Sequence, residues 1–201
     1  MVAAIVLSAG ASSRMGSPKA LLSIGGSTFI ERIVSSLKAT KVGKIIVVLG
    51  HDAERIQPKI DPFLVTIVLN PDYLKGQLSS LIAAIRRLQA DLSQVDGVLV
   101  HLVDNPFLNS SVVNEMIDRF YQSKKLIVIP TYKGQRGHPV LLSSLLFPEL
   151  LSAPLDQGAK SVVRAHPDET LEIETDDEGV VLDIDTPEDY RRYVERRHAQ
   201  A

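Results

Sequence analysis

Val2-Ala3-Ala4-Ile5-Val6-Leu7-Ser8-Ala9-Gly10-Ala11-Ser12-Ser13-Arg14-Met15-Gly16-Ser17-Pro18-Lys19 opens the chain and decides how the rest is read. Val2 to Leu7 is an unbroken apolar run, the pattern of a strand buried on both faces. It empties into a loop of small residues ending in two cations, Arg14 and Lys19. Small side chains let backbone N–H groups approach a phosphate chain, and the cations add opposite charge. A strand feeding such a loop at the start of a domain is a place for a nucleotide. An ordinary flexible loop with two surface cations would carry the same residues.

The spacing excludes two better-known phosphate loops. G-x-x-x-x-G-K-[ST] fails because Gly10 and Gly16 are one residue too far apart and Ser17 stands where Lys is needed. G-x-G-x-x-G fails because Ser12 occupies the second glycine position.

Outward from this loop, strand and helix patterns alternate. Helical spacing covers Thr28–Leu37, Leu78–Leu88 and Ser110–Tyr121, with a short helix at Asp52–Lys59 that Asp52 would cap. Strand patterns cover Lys44–Leu49, Phe63–Leu69, Gly97–Val103 and Leu126–Ile129. Val140–Leu142, Leu171–Ile173 and Val180–Ile184 are short strand candidates, and Pro187–Arg196 closes as a helix. Such alternation predicts an α/β fold, a mostly parallel central sheet with helices on both faces. With no linker, repeat or low-complexity segment, residues 1–201 read as one domain with a frayed tail at 196–201.

The 201 residues suffice for one substantial core, and 45% apolar with 23% charged is ordinary for a globular protein. A net charge of -2 gives no electrostatic case for nucleic acid or membrane partners. The absence of cysteine excludes disulfides, thiolate zinc sites, iron–sulfur clusters and cysteine catalysis. The N-terminal apolar run is too short for a signal peptide, and nothing approaches the ~18 apolar residues of a membrane span. A cytoplasmic protein is the expectation.

Polar signals fall mainly just after the strands, where parallel sheets hold ligands. Asp104, followed two residues on by Pro106, suits Mg²⁺ bound jointly by protein and phosphates, or else a capping turn. Asp185 is a similar candidate; Thr186 and Pro187 beside it form a good helix start. Ser79 and Ser80, behind Gly76, could read a base edge or phosphate, or simply begin a helix. His138, between Gly137 and Pro139, is placed at a strand start facing the cleft, or is structural. His51, His101, His166 and His198 show no ligand spacing, and Glu172, Glu174, Asp176, Asp177 and Glu178 read as a solvated hairpin edge.

The opening loop, A-G-x-S-x-R-M-G-x-x-K, resembles the signature loop of the nucleotidyltransferases related to molybdenum cofactor guanylyl- and cytidylyltransferases. Gly-Gln-x-Ser-Ser-Leu, Asp-x-Pro, Gly-x-Arg-Gly-His-Pro-Val, Asp-x-Gly-Ala (Asp156 to Ala159) and Asp-x-Asp-Thr-Pro-Glu-Asp-Tyr follow in order. Together they are similar to the cytidylyl branch and span essentially the whole chain. That branch has Ala-Gly, as in Ala9-Gly10, where the guanylyl branch has Gly-Gly.

The resemblance implies a Rossmann-like nucleotidyltransferase fold. It also implies transfer of CMP from CTP to the molybdopterin phosphate, with Mg²⁺ and release of pyrophosphate. Arg14, Lys19 and Asp104 would be catalytic. Leu7, Ala9, Gly10, Ser12, Ser13, Gly76 and Ser79 would complete the nucleotide site. Gln77, Ser80, Arg136, Gly137 and His138 would line the acceptor side, and Asp104 and Asp185 would hold the metal. A molybdenum enzyme receiving the cofactor is a further implied partner. Two alternatives remain open: cytidylyl or guanylyl transfer to a sugar or polyol phosphate, and a non-catalytic cofactor carrier or insertion chaperone.

Overall fold

Both faces of the first strand are covered, which is why it shows no polar alternation. Val2, Ala4 and Val6 enter one apolar cluster, and Ala3, Ile5 and Leu7 enter another on the opposite face. The computed structural model describes residues 1–91 and 94–195. In chain order these form β1 (Val2–Ser8), a two-stranded ribbon β2 (Ser23–Ile24) and β3 (Ser27–Thr28), α1 (Phe29–Lys38), β4 (Lys44–Leu49), α2 (Ala53–Ile60), β5 (Thr66–Leu69) and α3 (Gln77–Ala90). There follow β6 (Gly97–Leu102), α4 (Ser110–Ser123), β7 (Ile127–Tyr132), β8 (Gln135–Arg136), β9 (Val140–Ser143), α5 (Phe147–Ser152), α6 (Lys160–Ala165), β10 (Thr170–Glu174) and α7 (Pro187–Asp189).

The main sheet runs β10-β7-β9-β6-β1-β4-β5, with β8 folded onto β7. β6, β1, β4 and β5 are parallel neighbours, as are β10 and β7. β9 lies antiparallel between β6 and β7, pairing Leu141 with both Leu99 and Val128. Residues of α1, α2 and α4 cover one face, and residues of α3, α5 and α6 cover the other. This is the expected mostly parallel α/β architecture.

Local chemistry sets the element ends. Thr28 and Glu31 form a reciprocal capping box that starts α1, and Phe29, Ile30, Ile33, Val34 and Leu37 form its buried stripe. Asn109 caps α4 through Ser111 N–H. Thr186 and Asp189 form a second capping box on α7. Ile24, Phe29, Ile184 and Val194 make a small cluster that seats the C-terminal segment against the ribbon. No helix among the described residues is long and apolar enough to cross a membrane.

Several expectations need correction. Asp52 does not cap α2; it is left-handed with φ 55° and makes no side-chain cap bond. The strand expected from Phe63 begins only at Thr66, because residues 61–63 close a 3-10 turn that ends in left-handed Leu64. Val180–Ile184 is not a strand. Asp177 caps a 3-10 turn at 178–181, and Asn105 Nδ2 binds the carbonyls of Gly179 and Val180. Of the acidic residues 172–178, Glu172 and Glu174 lie in the parallel edge strand β10 and the others follow it, so the segment is not a hairpin. After α7 the chain continues as a π-helical turn through residue 195. The expected helix end at Arg196 and the frayed tail, including His198, lie outside the described residues.

Candidate active site

β1 delivers its loop to the carboxyl end of the sheet, between the ends of β6 and β4. There Leu7, Ala9, Gly10, Ser12, Ser13, Arg14 and Lys19 line a cleft of 330 Å³. Leu102, Val103 and Asp104 close it on the β6 side, and Tyr73, Gly76, Gln77 and Ser80 close it towards β5 and α3. Asp185 arrives from the C-terminal segment. Gly16 has φ 71°, a conformation that glycine takes without the cost of a Cβ. Ser12, at φ 51°, accepts a hydrogen bond from Lys19 N–H on its Oγ (3.1 Å), which folds the loop back on itself.

Lys19 is the centre of the charge arrangement. Its side chain is 9% exposed, and Nζ donates to Asp185 Oδ1 at 2.5 Å and to Asp104 Oδ2 at 3.2 Å. Arg14 Nη1 lies 3.1 Å from Asp185 Oδ2. The Lys19 hydrogen bond is the main reason that Asp185 titrates below the usual aspartate range, with the charges of Lys19 and Arg14 reinforcing it. Residues separated by up to 166 positions thus meet at one ammonium group.

Asp104 Oδ1 is buried with no hydrogen-bond partner among the described residues. A buried carboxylate oxygen left bare is costly and marks a place for a cation or a donor. Asp104 and Asp185 together form a hard-oxygen pair suited to a divalent ion that takes its remaining ligands from phosphates and water. No group of three acidic or histidine side chains able to hold an ion by itself occurs among the described residues. Asp185 also adjoins the α7 cap, where Thr186 and Asp189 do the capping and leave the Asp185 carboxylate out of it.

A second cleft of 440 Å³ adjoins the first and shares Leu7, Gly76, Gln77 and Leu102 with it. Its floor is apolar, with Leu81, Val100, Leu142 and Val163, and its polar groups are His138, Asp156, Gln157, Lys160 and Asp183. Desolvation lowers the His138 pKa, with Lys160 adding to this and Asp104 opposing it. The Asp183 pKa is raised, mainly by desolvation and then by the charge of Asp104.

The remaining candidates divide. Gln77 and His138 line the second cleft, and Ser80 lines the first. Ser79 turns away from both: its Oγ donates to the carbonyls of Asp72 and Gly76 and accepts from Asn70 Nδ2. Neither serine begins α3, which starts at Gln77 behind Gly76. Arg136 lines neither cleft; its guanidinium pairs with Glu172 at 2.6 Å. Gly137 acts by having no side chain, because a Cβ there would fall 2.3 Å from the Val180 carbonyl oxygen. Tyr73, Lys160 and Asp183 carried no assigned role in the sequence. Tyr73 lies between β5 and α3, and an isolated aromatic there gives no spacing to read.

The model of the MobA-like NTP transferase domain matches residues 4–170. The chain is 27% identical over 193 residues to the molybdenum cofactor cytidylyltransferase of Escherichia coli, covering 96% of this chain and 95% of that one. It is 29% identical over 204 residues to the nicotine blue oxidoreductase of Paenarthrobacter nicotinovorans, covering 96% of both. The crystal structure of Rv0371c from Mycobacterium tuberculosis superposes with a TM-score of 0.84 at 28% identity, covering 96% of this chain and 97% of the other. A second structure of that mycobacterial protein is a complex with manganese (TM-score 0.78, 26% identity, 96% and 98% covered).

Proposed function

The chain belongs to the MobA-like NTP transferase family and is a nucleotidyltransferase, and on that premise we propose that it transfers CMP from CTP to the phosphate of a molybdopterin-type acceptor. The observation that carries the reading is the junction of Lys19 with Asp104, Asp185 and Arg14 beneath a loop of small residues. Such a junction suits in-line displacement, which needs positioning and charge neutralisation rather than a side-chain nucleophile. An acceptor phosphate oxygen bonds to the α-phosphorus while the bond to the β-phosphate oxygen breaks, and pyrophosphate leaves with the electron pair. The acceptor is already anionic, so no general base is required.

In this scheme the loop N–H groups and Arg14 hold the triphosphate. Lys19 exchanges its two carboxylates for phosphate oxygens and follows the charge onto the leaving pyrophosphate. A divalent ion, held by Asp104 through its bare Oδ1 and by Asp185, would add neutralisation at the phosphates. The second cleft is assigned to the acceptor, with His138, Gln77 and Lys160 on its wall. Its apolar floor suits a flat ring system, and its cation suits a phosphate.

The test is a substrate panel with pyrophosphate release as the readout. CTP and GTP are each supplied with molybdenum cofactor, with a sugar phosphate, and with no acceptor. Release from CTP with molybdenum cofactor alone supports the proposal. Release with the sugar phosphate moves the assignment to another acceptor. Stoichiometric cofactor binding without release indicates a carrier.

A further inference from the structure

We propose that Tyr73 is the side wall of the base subsite and selects a pyrimidine over a purine nucleotide. This rests on the nucleotidyltransferase reading and adds to it a residue that decides which base enters. Sheet order gives the direction of the nucleotide. Asp104 follows β6 and Lys19 reaches it, so the triphosphate lies over the β1–β6 side of the loop. The other end of the same cleft lies over β4 and β5, and Tyr73 lines that end with Ala9, Gly76 and Gln77. A nucleotide with its phosphates on Lys19 has its base at Tyr73.

The surroundings hold this ring in one place. Gly50 follows β4 beside it, and a Cβ there would fall 2.7 Å from Tyr73 Cβ and 2.8 Å from both Tyr73 Cγ and the Ala9 carbonyl oxygen. A side chain at position 50 would displace the ring, the Ala9 backbone, or both. His51 N–H donates to that Ala9 carbonyl, and the His51 and Tyr73 rings meet at 6.0 Å with Tyr73 Oη 3.5 Å from Nδ1. From the other side, Asn70 braces the segment by accepting from Asp72 N–H and donating to Ser79 and Ser80. Tyr73 and Ala9 are therefore fixed relative to each other. A two-ring base needs more width than a one-ring base, and a fixed aromatic wall cannot supply it.

Calorimetric titration of CTP and of GTP, each with Mg²⁺ and without acceptor, tests this apart from turnover. Tyr73→Ala should reduce the CTP-to-GTP affinity ratio by about 10-fold, the scale of discrimination that pocket shape provides. Tyr73→Phe should keep the ratio, because the wall is the ring and not the hydroxyl. A ratio unchanged in Tyr73→Ala would overturn the proposal while leaving the nucleotidyltransferase reading intact. Binding of neither triphosphate to the unaltered protein would overturn both.

Discussion

Replacing Lys19 should have opposite effects on rate and on metal affinity. Its ammonium group lies between Asp104 and Asp185, 3.2 Å and 2.5 Å from their oxygens. A metal ion seeking the same carboxylates must compete with it. Hydrogen bonds to charged groups contribute about 1.5–3 kcal/mol each. Asp185 is 34% exposed, so solvent screening reduces the competing interaction to about 1–2 kcal/mol in all. Lys19→Met, which keeps the apolar stem, should therefore bind Mn²⁺ about 5–30-fold more tightly in the absence of nucleotide.

Catalysis should move the other way. Charge reaches pyrophosphate only as the bond breaks, so a cation that follows it stabilises the transition state more than the ground state. Losing one such preorganised contact costs on the order of 10²–10³ in kcat. CTP affinity should weaken far less, since Arg14 and the loop N–H groups remain. Steady-state pyrophosphate release and calorimetry with Mn²⁺ and CTP supply the three numbers. An unchanged kcat with only a raised KM would show that Lys19 contributes uniform binding, and the catalytic role would be wrong. Unchanged metal affinity would show that the ammonium does not compete for the carboxylates.

Three further outcomes follow. CTP should be used at least about 10-fold better than GTP, and Ala9→Gly should narrow the gap; equal turnover of the two by the unaltered protein would remove the cytidylyl assignment. Asp104→Asn should abolish turnover with circular dichroism unchanged, whereas near-normal activity at saturating Mg²⁺ would reduce Asp104 to a turn residue. His101 is fully buried, its Nε2 2.7 Å from the Asn105 carbonyl oxygen, and burial drives its pKa from 6.5 to about 3. The unfolded chain takes up that proton first, so this contribution to stability is complete above about pH 6.5 and falls by about 1.4 kcal/mol per unit as pH drops towards 3. Denaturant melts at pH 6.5 and 5 should show His101→Gln losing about 2 kcal/mol less than the unaltered protein; equal losses would contradict this origin.

The parts of the fold legible in sequence were those with a strong local signal. Val2–Leu7 and Lys44–Leu49 are apolar on both faces and could only be buried strands, and the stripe from Phe29 to Leu37 could only be an amphipathic helix. Val180–Ile184 has the composition of a strand, but its first carbonyl, that of Val180, is taken by Asn105 Nδ2 and by His138 N–H, groups brought together only by tertiary structure. The reversed direction of β9 had no sequence signature at all. At the site, Arg14, Lys19, Asp104 and Asp185 were readable because charged residues just after strands stand out against small or apolar neighbours. The meeting of Asp104 and Asp185 at the Lys19 amine was not readable, since it depends on packing the C-terminal segment across the end of β6. Ser79 and Arg136 have the residue types of binding groups, yet local hydrogen bonds and Glu172 engage them elsewhere.

The reversed strand β9 brings a later stretch of chain to the second cleft, beside the four residues that the two clefts share. The β1 loop and the residues after β5 and β6 meet the first cleft, whereas the second draws on the turn into β9 and the segment leading to α6. His138 enters the second cleft from the start of a strand, not from the end of one. Mutations accumulating between residues 137 and 163 can thus reshape one recess while the opening loop stays as it is. On the proposed assignment of the second cleft to the acceptor, a lineage could change what it joins to a nucleotide without relearning how to hold the nucleotide. Duplicated copies of such a gene would be expected to drift first in that interval.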